Sequence, residues 1–277
     1  VNTPEPLGPV LFRPRPELRR HIAFFGYWEH AGSAVHRSRA LPRGALTLLI
    51  DLSGSDDVEF FAADGLTRAA NSPAFVVGAG RQSYVIGVAP RQTALTVHFQ
   101  PAGAAPFLNM PADELQDRCV GIDELWGSAA ITLRAQLTDE KSATRRIGIT
   151  EQFLLSRQTL DAARYSAVTA ALRAVEANPS TRVTHLQRLS GLPAKRFATE
   201  FRSHVGVAPK TYITVRRLQA ALKRLAEARE LGADIAADLG YFDQSHFVRE
   251  FRAFTNTTPT EYQGHRSPMP GHVELVR

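Results

Sequence analysis

Two short polar edges, fifty residues apart, hold the residues of this chain best suited to chemistry. One is Lys195, Arg196, Thr199 and Arg202; the other is Ser245, His246, Arg249 and Arg252. In each set the spacing is i, i+1, i+4 and i+7, which on an α-helix gathers the side chains on one face. Every one of these side chains donates hydrogen bonds, and most are cationic, so each edge suits an acceptor-rich, anionic surface.

The same offset relates much of the C-terminal part. Leu189 falls on Leu239, Phe197 on Phe247, Glu200 on Glu250, Phe201 on Phe251, Arg202 on Arg252, Pro209 on Pro259 and Tyr212 on Tyr262. Two copies of one unit are present. Each reads as a short helix, a turn and a second helix. Copy one, "VTHLQRLSG" then "PAKRFATEFRSHVG", sets apolar residues at 183, 186 and 189 before Gly191, then Phe197, Phe201 and Val205. Copy two sets Ile235 and Leu239 before Gly240, then Phe247, Phe251 and Phe254. That spacing buries one stripe of each second helix and leaves the polar edge outside. A helix of this kind is what a helix-turn-helix lays in the major groove, where Ser, Thr, Arg and His bond base edges or phosphates. For a single helix the ordinary reading is a solvated polar face; two in one register favour the groove. The phenylalanines are core, and Tyr212 and Tyr262 are packing elements.

Between the copies, "TYITVRRLQAALKRLAEARELG" places Ile213, Leu218, Leu222 and Leu225 on one face, predicting a helix over about 212–230. Such a helix is roughly 28 Å long at about 1.5 Å per residue. Successive major-groove faces on one side of B-DNA lie about 34 Å apart. One chain would then hold two helix-turn-helix units, at about 183–206 and 233–255, and present the reading helix of each to adjacent groove segments.

Charge follows the same division. Residues 1–156 hold 15 Lys/Arg against 16 Asp/Glu, and residues 157–277 hold 18 against 11, so the second half carries all of the net +6. That asymmetry points to a polyanion, nucleic acid before a membrane surface. At 277 residues, 44% hydrophobic and 22% charged, the chain reads as two domains with a core in each, 1–157 and 158–277, meeting near "QTLDAARYS" at 158–166. No apolar run approaches the roughly 18 residues of a membrane span, and the N-terminal stretch lacks a signal-peptide layout, so a cytoplasmic, nucleoid-associated location is expected. Cys119 is the only cysteine, which excludes an internal disulfide and a multi-cysteine zinc site; it reads as a small, semi-buried apolar residue.

"DIAADLGYFDQSHFVREFRAFTNTTPTEY" (234–262) and "GVAPKTYITVRRLQAAL" (206–222) resemble the second helix-turn-helix signature and the linker helix of the AraC/XylS family of bacterial transcription regulators. The likeness covers about 100 residues, from near Tyr165 to Tyr262. It implies that Lys195, Ala198, Thr199, Ser245, His246 and Arg249 face bases, and that Arg196, Arg202, Arg216, Arg217 and Arg252 sit on phosphates. His246 has a competing reading as a hydrogen-bond partner within its own domain, and Asp243 is expected to N-cap its helix. Copy one departs from the family pattern: Pro193 and Lys195 stand where relatives often have Ser and Arg, and Ala198 and Thr199 occupy places of longer donors. It is expected to read fewer bases, with Ala198 touching a thymine methyl at most. In copy two Asn256 replaces the usual glycine after the helix and tolerates a left-handed backbone.

The first half offers β-rich runs at 45–52, 58–63, 73–80, 83–89 and 93–100, and helical patterns in "PADELQDR", at 128–137 and at 144–157. They predict an antiparallel sheet or small barrel with helices, hence an α+β chain ending in an all-α tandem helix-turn-helix. "PELRRHIAFFGYWEH", "LPRGALTLLIDL" and residues 98–127 resemble, more loosely, the cupin-like sensor domain of one subset of these regulators. That likeness implies a small-molecule effector or a second copy as partner, and RNA polymerase beside the double-stranded DNA. Tyr27, Trp28, Tyr84 and His98 join an apolar body to a polar tip, as effector pockets do, with plain packing the alternative. His98 alternates with Val97 and Phe99 and so faces away from them. Trp126 reads as an anchor between helix and sheet. His21, His30, His36 and His98 show no HxH or HExxH spacing, so neither metal nor cofactor is expected. No nucleophile elbow, P-loop or dinucleotide turn occurs, and one cysteine is too few for a DNA alkyl-transfer repair protein. The reading is a sequence-specific regulator and not an enzyme; a cupin-type enzyme with a DNA-targeting tail and a non-specific DNA binder are the alternatives.

Overall fold

The computed structural model describes residues 9–29, 36–54, 58–88, 92–159, 162–227, 232–264 and 271–275. Its strands are β1 (Val10–Phe12), β2 (Ile22–Glu29), β3 (His36–Ala40), β4 (Thr47–Asp51), β5 (Phe60–Phe61), β6 (Ala74–Val77), β7 (Tyr84–Val88), β8 (Thr93–Phe99), β9 (Cys119–Gly121) and β10 (His272–Glu274). All pairings between them are antiparallel: a six-stranded sheet runs β1-β2-β8-β4-β6-β9 and a four-stranded sheet β10-β3-β7-β5.

Alternation along the strands divides the six-stranded sheet into two faces. Leu95, Val97 and Phe99 of β8, with Leu48 and Ile50 of β4 and Phe25 of β2, enter the main core, which helices cover. Phe75 and Val77 of β6 and Leu49 of β4 turn the other way and meet Phe60 and Tyr84 of the second sheet. The Phe60 and Phe75 ring centroids lie 4.8 Å apart, so the sheets pack as two layers at that end.

The covering helices are α1 (Ile122–Trp126), α2 (Ser128–Asp139) and α3 (Ala143–Arg157). Trp126 is buried in the main core with its indole N–H donating to Phe107 O at 2.9 Å. The helix expected in "PADELQDR" is only a short 3-10 turn, Ala112–Leu115. It stops because Asp117 turns left-handed, φ 53°, and its carboxylate accepts from the backbone N–H of Arg81 and Gln82 at 2.7 and 2.9 Å. Gly80 permits that approach: a Cβ there would collide with the Asp117 carboxylate.

The helical half holds α4 (Ala162–Ala177), α5 (Val183–Ser190), α6 (Ala194–Val205), α7 (Pro209–Glu227), α8 (Gly232–Asp238), α9 (Gln244–Thr255) and α10 (Pro259–Gly264). The linker helix starts at Pro209 rather than near Tyr212, as proline's fixed φ and missing N–H suit a first turn; residues 228–231 lie outside the described residues.

Two differences from the sequence reading matter. One continuous core runs from Leu18 of the first half through Phe197, Phe201 and Tyr212 to Ile213, so the first helix-turn-helix unit packs directly on the sheet domain. Gly206, at φ 91° after α6, suits this closeness, since a Cβ there would press on Ala112 O and the Ala79 side chain, each at 3.2 Å. Second, the C-terminal part is not wholly helical. β10 returns to the first half and pairs with β3, His272 opposite Ala40 and Val273 opposite Arg39. Three residues are too short a run to show a period of two, and their partner strand is far away in sequence.

Candidate nucleic-acid interface and an inter-sheet cavity

The two units are built alike. α5 ends at Gly191 in the left-handed region and α6 follows; α8 ends before Gly240 and α9 follows. α6 buries Phe197, Phe201 and Val205, and α9 buries Phe247, Phe251 and Phe254. Each second helix sends an edge-on ladder of rings into the helix behind it. Phe197, Phe201 and Tyr212 stand at successive centroid distances of 5.6 and 5.6 Å, and Phe247, Phe251 and Tyr262 at 5.7 and 5.8 Å. Edge-to-face ring contacts of this kind fix helix orientation as well as burying area.

Fixing the buried stripe fixes the opposite one. Lys195, Arg196, Ala198, Thr199 and Arg202 are exposed on α6, as are Ser245, Arg249 and Arg252 on α9. Asp243 caps α9 by accepting from the His246 N–H at 2.6 Å, whereas Pro193 gives α6 no side-chain cap. Asn256 closes α9 at φ 58°, in the left-handed region. His246 is half-buried: its Nδ1 accepts from Phe242 N–H at 3.4 Å, and its ring meets Tyr241 edge-on at 5.4 Å. One ring nitrogen is thus turned inward.

The five arginines implied for phosphates stand in different settings. Arg252, like the base-reading candidate Arg249, has no ion pair among the described residues, although its field reaches Glu261. Arg196 lies 4.0 Å from Glu200 of its own helix, and Arg202 lies 3.5 Å from Asp113 of the sheet domain. Arg216 pairs with Glu176 of α4 and keeps under a quarter of its side chain exposed. Arg217 stacks its guanidinium 4.9 Å from the Tyr241 ring centre, which ties α7 to the second unit. Both therefore already hold elements together, and neither stands on the open edge. Phe242, 91% exposed in the turn before α9, escaped the sequence reading, because an aromatic residue in a turn carries no periodic signal.

A cavity of about 410 Å³ lies between the two sheets, largely apolar, with Trp28, Tyr84 and His98 in its wall. Tyr27 does not line it. Strand alternation sends Tyr27 to the helix-covered face of β2, where its hydroxyl accepts from Arg146 at 2.6 Å. The wall also includes Arg43, Gln219 and His272, which no local pattern marks. Arg43 donates to His98 Nδ1 at 2.6 Å and lies 5.4 Å from the Phe24 ring centre. Burial, then the field of Arg216, lowers the Arg43 guanidinium to about 10. Burial, then Arg43, holds His98 well below the ordinary imidazole value and brings His272 to about 4. Burial pushes the Cys119 thiol up to about 12, consistent with an inert, semi-buried cysteine. Among the described residues, no group of three or more His, Cys, Asp or Glu is placed to hold a metal ion, and no helix is long and apolar enough to cross a membrane.

With this geometry in place, the C-terminal half is a tandem helix-turn-helix domain. Residues 186–265 match a family described as a helix-turn-helix domain, and residues 11–121 match a domain of unknown function, DUF6597. Through that C-terminal stretch the chain is similar to helix-turn-helix transcriptional regulators. It is 26% identical over 115 residues to an uncharacterized HTH-type transcriptional regulator of Haemophilus influenzae, spanning 41% of this chain and 39% of that one. It is 31% identical over 81 residues to the probable transcriptional regulator LumQ of Photobacterium leiognathi, spanning 29% of this chain and 33% of that one. The chain thus spans well under half the length of either relative. Among solved structures, ToxT of Vibrio cholerae aligns over 87% of this chain and 97% of its own, at 11% identity and a TM-score of 0.45.

Proposed function

We propose that the protein is a sequence-specific DNA-binding regulator of transcription, reading two adjacent major-groove segments with α6 and α9. The observation that carries this reading is the doubled unit, in which the same ring ladder orients two helices so that each exposes a donor edge. Lys195, Thr199, Ser245 and Arg249 supply base contacts, with Ala198 limited to a methyl contact and His246 using its outward ring edge. Arg252, Arg196 and Arg202 meet phosphates, which supplies affinity and makes it fall steeply with salt. Arg216 and Arg217 serve first as positioning residues. Residues 1–157 form the sensing or dimerising domain and residues 158–277 the DNA-binding domain, with β10 reaching back between them. The protein works on the chromosome in the cytoplasm, with RNA polymerase as the partner whose access it alters.

Hydroxyl-radical footprinting of the full chain on a selected duplex tests this, paired with transcription from a promoter carrying that site. Protection of two segments about one helical turn apart on one face is the expected pattern. Uniform protection along the duplex would overturn the two-helix reading, and unchanged transcription would overturn the regulatory one.

A further inference from the structure

The two helix-turn-helix units align at one offset along their second helices, yet their turns differ by one residue. Gly191, left-handed at φ 68°, stands six residues before Phe197; Gly240, at φ 71°, stands seven before Phe247. In the first turn the residue after the glycine, Leu192, packs against the main core. Its N–H donates to Ser190 Oγ at 3.2 Å and its carbonyl accepts from Gln187 at 2.9 Å. In the second turn Tyr241 takes that place, buried in the second unit's core with its ring 5.1 Å from Phe247 and 5.4 Å from His246. The additional residue of the longer turn is Phe242, and with the inner seat already filled it stands 91% exposed.

Its place, more than its exposure, gives this ring a meaning, since a lone apolar side chain at a surface is ordinary. Phe242 makes no ring contact among the described residues. Its backbone is nonetheless held: the N–H donates to His246 Nδ1 at 3.4 Å, and Asp243, the next residue, caps α9 through the His246 N–H at 2.6 Å. With Tyr241 turned inward, Phe242 is displayed at the N-terminal end of α9, the end that carries Ser245 and His246. A reading helix meets base edges chiefly with its N-terminal residues.

The rest of that edge consists of hydrogen-bonding groups. Ser245, His246, Arg249 and Arg252 suit polar atoms of bases and phosphates, and none of them registers the one apolar mark of the major groove, the 5-methyl group of thymine. Phenylalanine is suited to that methyl. Ring and methyl are both hydrated before binding, and joining them removes apolar surface of each from water; cytosine has no methyl at C5 and gives no such gain. The neighbouring carboxylate, Asp243, is already bonded to the helix end. In the first unit the apolar member of the edge is Ala198, within the helix, whereas the second unit carries its own in the turn.

We infer that Phe242 is a base-specificity residue of the second unit, covering the 5-methyl group of a thymine beside the bases met by Ser245 and His246. The longer turn is then the device that gives α9 an apolar contact at the end that enters the groove. This deepens the reading of the protein as a sequence-specific regulator and rests on α9 lying in the major groove.

The test uses the full chain and a duplex it has selected, with each thymine of the motif replaced singly by deoxyuridine, which lacks only the methyl. Replacement at one position should weaken binding of the wild-type chain by about three- to fivefold, the worth of one methyl removed from water. Phe242→Ser should weaken the thymine duplex by about as much and bind it and the uracil duplex of that position equally. Any preference due to Ala198, at another position, should remain. Phe242→Leu, still apolar, should keep a thymine preference of about twofold or more. Because the ring is exposed, both variants should unfold at the wild-type denaturant midpoint; a general loss of fold would lower every affinity and leave the thymine-to-uracil ratio unchanged. Thymine preference surviving Phe242→Ser at every position would overturn the methyl contact, as would equal binding of thymine and uracil duplexes by the wild type. Altered transcription with unaltered DNA affinity in Phe242→Ser would overturn it in favour of a protein partner. Selection by the wild type is read first: absence of any motif overturns the regulator reading, whereas a motif without a methyl-sensitive thymine overturns the role of Phe242 alone.

Discussion

Arg249→Ala separates base reading from charge. Arg249 is exposed on α9, two turns from the capped start of the helix, and has no ion pair among the described residues. Removing it breaks no hydrogen bond or ion pair among the described residues, so stability should stay within about 0.5 kcal/mol, as is usual for surface substitutions. A bidentate arginine contact with guanine discriminates by about 1–3 kcal/mol, roughly 5- to 150-fold in affinity. Fluorescence anisotropy on a selected duplex and a scrambled one, at fixed salt, should show that loss on the selected duplex alone. Arg252→Ala is the control: it should weaken both duplexes alike and flatten the salt dependence by about one unit of slope. Equal losses on both duplexes for Arg249→Ala would refute its base-reading role.

Four further outcomes follow from the geometry. Phe251→Ala, which empties the middle of the second ring ladder, should cost about 3–5 kcal/mol, read as a lower denaturant midpoint. Asp243→Ala removes the α9 cap and should cost about 0.5–2 kcal/mol, with weaker DNA binding in proportion. Asp113→Ala frees Arg202 from a half-exposed pair of little intrinsic strength, at most about 1 kcal/mol, and should raise DNA affinity up to about fivefold at low salt. Burial, with Arg20 for His21 and Arg43 for His272, lowers both imidazoles to about 4. The unfolded chain, with ordinary histidines near pH 6.5, then takes up protons first, so stability is complete above about pH 6.5 and falls as pH drops toward 4. Urea midpoints at neutral and acid pH should show this, and His272→Gln should flatten the fall.

The helical half was legible because its information is repeated. The offset that sets Phe197 on Phe247 and Phe201 on Phe251 reappears as two ring ladders of nearly equal spacing. The sheet domain was legible in the five apolar runs that form β4 to β8, and not in the strands outside them. β2, "IAFFGYWE", is apolar on both faces, and β3, "HRSRA", is mostly polar. The cavity shows the limit most clearly. Trp28, Tyr84 and His98 could be suspected from residue type alone, but Tyr27 points the other way, and Arg43 and His272 share a cavity wall only because β10 crosses back to β3. Contacts between distant segments leave no periodic trace in either one. For the same reason a core shared between sheets and first helix-turn-helix unit was invisible in a chain whose charge divides cleanly near its middle.

Selection of bound sequences from a random duplex pool by the full chain tests the central claim most directly. A split motif, its two parts about one helical turn apart, is the result this account requires. Recovery of no enriched motif, at salt where binding is still measurable, would contradict it and leave a protein that holds DNA without reading it.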